Sequence, residues 1–325
     1  MSEIAVFCQT SNANGLGHVV RQIHLSRELQ RQGHNVHFYV ENFPPALGLL
    51  RKAGQSVETG ARQQWIPKKP VDMSILDIGP EKADTVARIR TRSRKIACME
   101  NIESGRDCVD LLIDCNLDRE AIGNVAPSVT CLFGLEYVLL HPDFAMNYSR
   151  EFPHRPHNIL VTLGGTDPQR LTAPVVETLL EADANVKLTV LIGAGFQDPE
   201  GLARLQRRGG ENLVVLHGAK RMAELLADHD AVVCAGGVTL YEAMATGTPA
   251  FAIAQAPHQA DKTQRMQALG AAEYLGMGVT FDKDRLRAVL QTPKERLQSL
   301  SRTGKSLVDG HGIFRIAAAI ENLLQ

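Results

Sequence analysis

The sequence predicts an α/β chain built from two Rossmann-like domains facing across a cleft. Three observations predict it. Short apolar, β-branched runs alternate with amphipathic runs along most of the 325 residues, the rhythm of βαβ units in a parallel sheet covered by helices. That rhythm weakens across 147–157, where Pro153, Pro156 and several charges fall. Each half also opens in the same way, with a strand-like run, a glycine-rich turn and a helix-like run. A prior of about 150 residues per domain gives two domains, placed at 1–150 and 151–325, with the last helix able to pack back on the first.

The elements follow in order. Residues 4–8 read as a strand buried on both faces. Residues 18–31 read as a helix, with Val19, Ile23, Leu25 and Leu29 near one face and Gly33 closing it. A strand over 36–40 and a helix over 44–53 come next, then strands over 74–78, 95–100 and 111–114. The second half begins with a strand over 158–163, the turn Gly164-Gly165-Thr166-Asp167-Pro168 and a helix over 171–182. Strands at 186–192, 213–216, 231–235 and 249–254 alternate with helices at 222–227, 240–245 and 261–269, and an amphipathic helix spans 312–324. A basic run, 87–95, reads as a solvated helix face or loop, or as a patch that meets an anion.

Composition narrows the function. Lys plus Arg total 35 against 36 for Asp plus Glu, a net charge of -1, which argues against a general nucleic-acid binder. The six cysteines include no Cys-x-x-Cys pair, so reduced thiols in a cytoplasmic protein are expected. No signal peptide is visible and no apolar run reaches the roughly 18 residues of a membrane span. No His, Cys and Asp cluster has metal-ligand spacing, and neither a metal nor a cofactor is expected. The oligomeric state stays open between monomer and dimer.

Two glycine turns carry the chemistry. The first, Gly15-Leu16-Gly17-His18, delivers an imidazole at the start of a helix. Glycines there let backbone approach a ligand closely, and an imidazole exchanges its proton near physiological pH, so His18 reads as a general base. Arg21, one turn on, reads as an orienting group for a phosphate or carboxylate. The second turn, Gly236-Gly237-Val238-Thr239, joins an apolar strand to a helix that carries Glu242. Open backbone N–H groups at such a place suit a diphosphate. Thr239 can add a hydroxyl, and Glu242 reads as an acceptor for sugar hydroxyls. Gly165 and Thr166 have the same strand-to-helix context and read either as further backbone contacts or as a turn whose Thr166 or Asp167 caps the helix. Gln259 reads as a ligand of a sugar hydroxyl or phosphate. Asp77 and Asp114 end predicted strands, where parallel sheets bind ligands.

In this order the pieces resemble two-lobed nucleotide-sugar enzymes of the glycosyltransferase-B type, and in particular the UDP-sugar hydrolases of the pseudaminic acid pathway. The resemblance runs through most of the chain. It is carried by Gly15-Leu16-Gly17-His18-Val19-Val20-Arg21, by the segment from Gly134 to Phe144 with Tyr137, by Gly164-Gly165-Thr166-Asp167-Pro168, and by Gly236-Gly237-Val238-Thr239 with Glu242. The Gly-Gly turn is shared with the wider superfamily, including MurG-type transferases.

The resemblance implies that His18 activates water for attack on the anomeric carbon of a UDP-activated, 2,4-diacetamido-trideoxy-type sugar, with inversion. It also implies that UDP sits on the second domain with Glu242 on its ribose, and that Tyr137 borders the sugar pocket. Three positions depart from the pattern: Val238 stands for a serine, His141 for an arginine, and His258-Gln259 for Asn-Gln. The expected function is therefore a UDP-sugar hydrolase of surface-polysaccharide biosynthesis. An inverting glycosyltransferase is the alternative, and a non-catalytic nucleotide-sugar binder is a third reading.

Overall fold

The computed structural model describes residues 1–10, 16–79, 83–100, 106–116, 125–193, 195–196 and 198–325. Strands form where apolar residues are covered on both faces. In β1 (Glu3–Cys8), Ile4, Val6 and Cys8 enter one core cluster while Ala5 and Phe7 enter another. This period of two, apolar on both sides, is the pattern of a buried parallel strand.

Around β1 lie β2 (Asn35–Val40), β3 (Ser56–Thr59), β4 (Val71–Asp77), β5 (Ser93–Met99), β6 (Leu111–Asp114) and β7 (Thr130–Phe133). All pair in parallel, in the order β3-β2-β1-β4-β5-β6-β7. Among the helices between them are α1 (Gly17–Arg31), α2 (Pro44–Lys52) and α3 (Ala83–Arg90).

The second sheet holds β8 (Asn158–Thr162), β9 (Lys187–Ile192), β10 (Leu213–His217), β11 (Ala231–Ala235), β12 (Ala250–Ala254) and β13 (Glu273–Met277), ordered β10-β9-β8-β11-β12-β13. Its helices are α4 (Thr172–Ala182), α5 (Pro199–Gly209), α6 (Met222–Ala227), α7 (Val238–Thr246), α8 (Pro257–Ala268), α9 (Lys283–Val289) and α10 (Lys294–Leu307). The last helix is α11 (Gly312–Leu324).

The chain divides into two compact units, Met1–Pro142 with Gly310–Gln325, and Asp143–Asp309. Helix α11 therefore belongs with the first sheet, where Ile313, Ile316, Ala317 and Ile320 share a core cluster with Ile4 and Val6. Each isoleucine among them contributes about 1.5–3 kcal/mol of burial.

Both sheets have the same winding. Strand order reverses between β1 and β4 in the first and between β8 and β11 in the second. Ligands of open parallel sheets bind beyond the strands' carboxyl ends at that reversal. In chain order β1 is followed by α1 with His18, and the turns after β8 and β11 contain Gly164-Gly165 and Gly236-Gly237.

Several elements lie beyond the expected ones. Strands β3, β7 and β13 sit at sheet edges or beside them, and only short, partly exposed segments mark them in the sequence. Helices α5, α9 and α10 are largely polar, with a narrow buried stripe. The basic run 87–95 is not one helix face. Helix α3 ends at Arg90, Thr91 and Arg92 turn, and β5 begins at Ser93. Among the described residues no helix is long and apolar enough to cross a membrane.

Candidate active site

In the first unit the site is built where β1 and β4 lie side by side, Cys8 opposite Asp77. Asp77 ends β4 and is fully buried. Helix α1 begins at Gly17, so His18, Arg21 and Gln22 fall within its first two turns, and all three side chains reach Asp77. His18 Nδ1 lies 2.6 Å from Asp77 Oδ1. Arg21 donates from Nε to Oδ2 at 2.7 Å and also from its Nη2 to Oδ1. Gln22 Nε2 donates to Oδ2 at 2.9 Å.

Electrostatics fix the state of this carboxylate. Burial alone pushes the Asp77 carboxyl up, but the Arg21 guanidinium and the hydrogen bonds from Arg21 and His18 outweigh it and hold it well below the usual carboxylate range. An ionised carboxylate only accepts hydrogen bonds. His18 Nδ1 therefore carries the proton, and in the neutral ring Nε2 is left as the basic nitrogen. The His18 side chain is 26% exposed, so the imidazole is held from behind and open in front.

Glu100 extends the network. It follows β5 and pairs with Arg21 Nη1 at 2.8 Å. Its φ is 56°, left-handed backbone that is uncommon for a side-chain-bearing residue. The Glu100 N–H donates to Ile113 O at 2.8 Å. Arg21, Glu100, Cys115 and Tyr137 line a common crevice with Met99 and Leu139. The structure thus brings His18, Arg21 and Tyr137 to one region, but it engages Arg21 with two carboxylates. Gly15 lies outside the described residues. Gly17 is the first residue of α1, with open space where a Cβ would stand.

In the second unit, β11 passes through Gly236-Gly237 into α7, whose N-cap Gly237 offers no side-chain hydrogen bond. The first N–H groups of α7 are left open, as an anion site requires. Gly236 is needed for a close approach, since a Cβ there would meet Thr263 Oγ1 at 2.7 Å and Gln259 O at 2.9 Å. Val238 is 53% exposed at the start of α7. Burial, partly offset by a hydrogen bond with Thr239, raises the Glu242 carboxyl to about 7.

The remaining predicted residues are placed as follows. Gln259 Oε1 accepts from the Gln255 N–H at 2.9 Å, so its amide braces the turn between β12 and α8. Gly165 and Thr166 are exposed in the turn after β8. Asp167 in the same turn is buried and caps α4, accepting from Leu171 N at 2.9 Å and Thr172 N at 2.8 Å. Among the described residues no three His, Cys, Asp or Glu side chains are grouped to hold a metal ion.

The pairing of His18 with Asp77, and of Arg21 with Asp77 and Glu100, was the part that sequence reasoning missed. Asp77 had only its place at a strand end to mark it, and Glu100 had no mark.

Two parallel-sheet α/β units of this winding are the fold of GT-B glycosyltransferases. The chain is similar to MurG of Acinetobacter baumannii, with a TM-score of 0.68 and 15% identity over 98% of this chain and 99% of that one. It is also similar to CalG4, the calicheamicin glycosyltransferase, with a TM-score of 0.64 and 17% identity over 100% and 98%. At these identities the likeness is one of fold. In sequence it is 28% identical to the spore coat polysaccharide biosynthesis protein SpsG of Bacillus subtilis (strain 168), over 99% of this chain and 98% of that protein. It is 26% identical to an uncharacterized protein of Methanocaldococcus jannaschii over 78% of this chain and 56% of that protein. No protein-family model matches the chain.

Proposed function

We propose that the chain is a nucleotide-sugar enzyme of surface-polysaccharide biosynthesis that displaces a nucleoside diphosphate from the anomeric carbon, transferring the sugar to an acceptor hydroxyl. The observation that carries the reading is the His18–Asp77 pair at the strand-order reversal of the first sheet. The solved glycosyltransferases of the same fold and the polysaccharide-biosynthesis relative support it.

The chemistry follows from the charges. The acceptor O–H gives its proton to His18 Nε2 as its oxygen bonds to C1. The C1–O bond to the diphosphate breaks, and its electron pair leaves on the phosphate oxygen. Asp77, ionised, stabilises the imidazolium that forms. The leaving diphosphate is assigned to the open N–H groups of α7, and Glu242 to the ribose hydroxyls. A single displacement of this kind inverts C1. The base is asked for roughly 10²–10⁴-fold in rate.

Water as the acceptor is the second reading. It rests on the resemblance of 15–21, 134–144 and 164–168 to the pseudaminic acid pathway hydrolases noted in the sequence. The test incubates UDP-, CMP-, GDP- and TDP-sugars with the protein and follows nucleotide release with and without sugar acceptors. Release from a UDP-sugar that needs an acceptor supports transfer, and release in water alone supports hydrolysis. His18→Ala is expected to abolish either while UDP binding remains. Binding with no release under any condition would leave a non-catalytic binder and overturn both.

A further inference from the structure

At the amino ends of β4 and β5, opposite to the end that carries His18, the first unit has an open recess. Arg90, Thr91, Arg92 and Arg94 line it, with Pro70 and Asp72. Each guanidinium is held by a backbone carbonyl. Arg90 Nη2 donates to Cys108 O at 2.7 Å, Arg92 Nη1 to Lys68 O at 2.5 Å and Arg94 Nη2 to Leu324 O at 2.6 Å.

Their charges are balanced unequally. Arg90 pairs with Asp110 at 2.7 Å. Arg92 and Arg94 meet no carboxylate among the described residues. Asp72, the one acid in the lining, accepts the Glu3 N–H at 2.9 Å. A guanidinium has five N–H donors. Carbonyls that engage one edge of it leave the rest fixed in direction and unused. Like charges gathered without counterions repel one another, and pre-oriented guanidinium forks match phosphate oxygens.

We propose that this recess is a second binding site, for a phosphate-bearing anion. It is distinct from the His18 site. Val71 in its lining and Asp77 stand at opposite ends of the seven-residue β4, about 20 Å apart at roughly 3.3 Å per residue. The same chemistry is offered by a free diphosphate and by a phospholipid headgroup, and the experiment separates these sources.

Inorganic diphosphate is titrated into the intact chain and into the Arg92→Gln/Arg94→Gln variant by calorimetry, with amide shifts of 90–94 followed by NMR. In parallel, both proteins are sedimented with phosphatidylglycerol vesicles. The substituted side chains are exposed, so the variant is expected to keep its melting temperature. Saturable diphosphate binding that shifts those amides and weakens at least tenfold in the variant establishes a free-anion site. Vesicle binding lost in the variant, without saturable diphosphate binding, establishes the headgroup as the source. Binding that the variant leaves unchanged in both arms, or none in either, overturns the proposal. A Glu242→Gln control at the other anion site is expected to leave the shifts at 90–94 in place.

Discussion

Asp77 is fully buried and still ionised, and the three side chains that make this possible all come from the first two turns of α1. The cost of burying its charge is offset chiefly by Arg21. Its carboxyl titrates lower in the folded chain than in the unfolded one. It therefore contributes stability that is full above the ordinary carboxylate range and is lost as pH falls through the folded value. Asp77→Asn removes that charge, leaves Arg21 with Glu100 alone, and no longer dictates which His18 nitrogen carries the proton. The variant is expected to lose about 3–5 kcal/mol at pH 7 in urea unfolding, the usual consequence of breaking a buried pair. Nucleotide release is expected to fall by about 10²–10⁴, the range of a misdirected base. The stability gap should narrow in acid, where the wild type loses its advantage. Unchanged turnover in Asp77→Asn would remove Asp77 from the mechanism.

At the scale of elements, what could be read from the sequence depended on burial. Strands β1, β8, β11 and β12 are apolar on both faces, and so they stand out as continuous runs. The four residues of β3, Ser56–Thr59, include one apolar side chain, and the rest of the strand's stability is backbone pairing with β2. Such pairing leaves no trace in a hydrophobic pattern. Helix α7 was legible because Gly236 and Gly237 precede it. The environment of Glu242 was not, because burial is set by neighbours far away in sequence.

That environment makes a test of the nucleotide assignment. Burial lifts the Glu242 carboxyl to about 7. Its stability contribution is thus full below the unfolded value and lost as pH rises through the folded one. Ribose hydroxyls donate to the ionised form, so binding should favour deprotonation. Affinity for UDP-N-acetylglucosamine, whose diphosphate does not titrate in this range, is expected to rise about tenfold from pH 6 to pH 8, following the charged fraction of a group titrating near 7. In Glu242→Gln it should be weaker and flat. A wild-type affinity that does not change with pH would take Glu242 off the ribose.

The whole molecule returns its last sixteen residues, 310–325, to the unit where it began. The two-domain reading of the sequence allowed this return, but no local feature requires it. An amphipathic helix announces that it has a partner without naming it, and here the partner is the core built on β1, some three hundred residues earlier. Ile313, Ile316, Ile320 and Leu324 are buried in that cluster, Arg94 holds the Leu324 carbonyl, and Arg315 holds the Glu136 carbonyl at 2.9 Å beside Tyr137. At about 1.5–3 kcal/mol per buried side chain, these four rival the about 5–15 kcal/mol by which an ordinary domain is stable. Truncation after Asp309 should therefore unfold the first unit and leave the second sheet's core intact. The chain has one tryptophan, Trp65, buried in the first unit, so its emission reports on that unit alone. The truncated chain is expected to show the red-shifted emission of exposed indole at temperatures where the intact chain is native. Ile316→Ala should lower the fluorescence-detected transition by about 2–5 kcal/mol. Native emission from the truncated chain would mean that the first unit closes its core without α11, and that the returning helix serves some purpose other than stability.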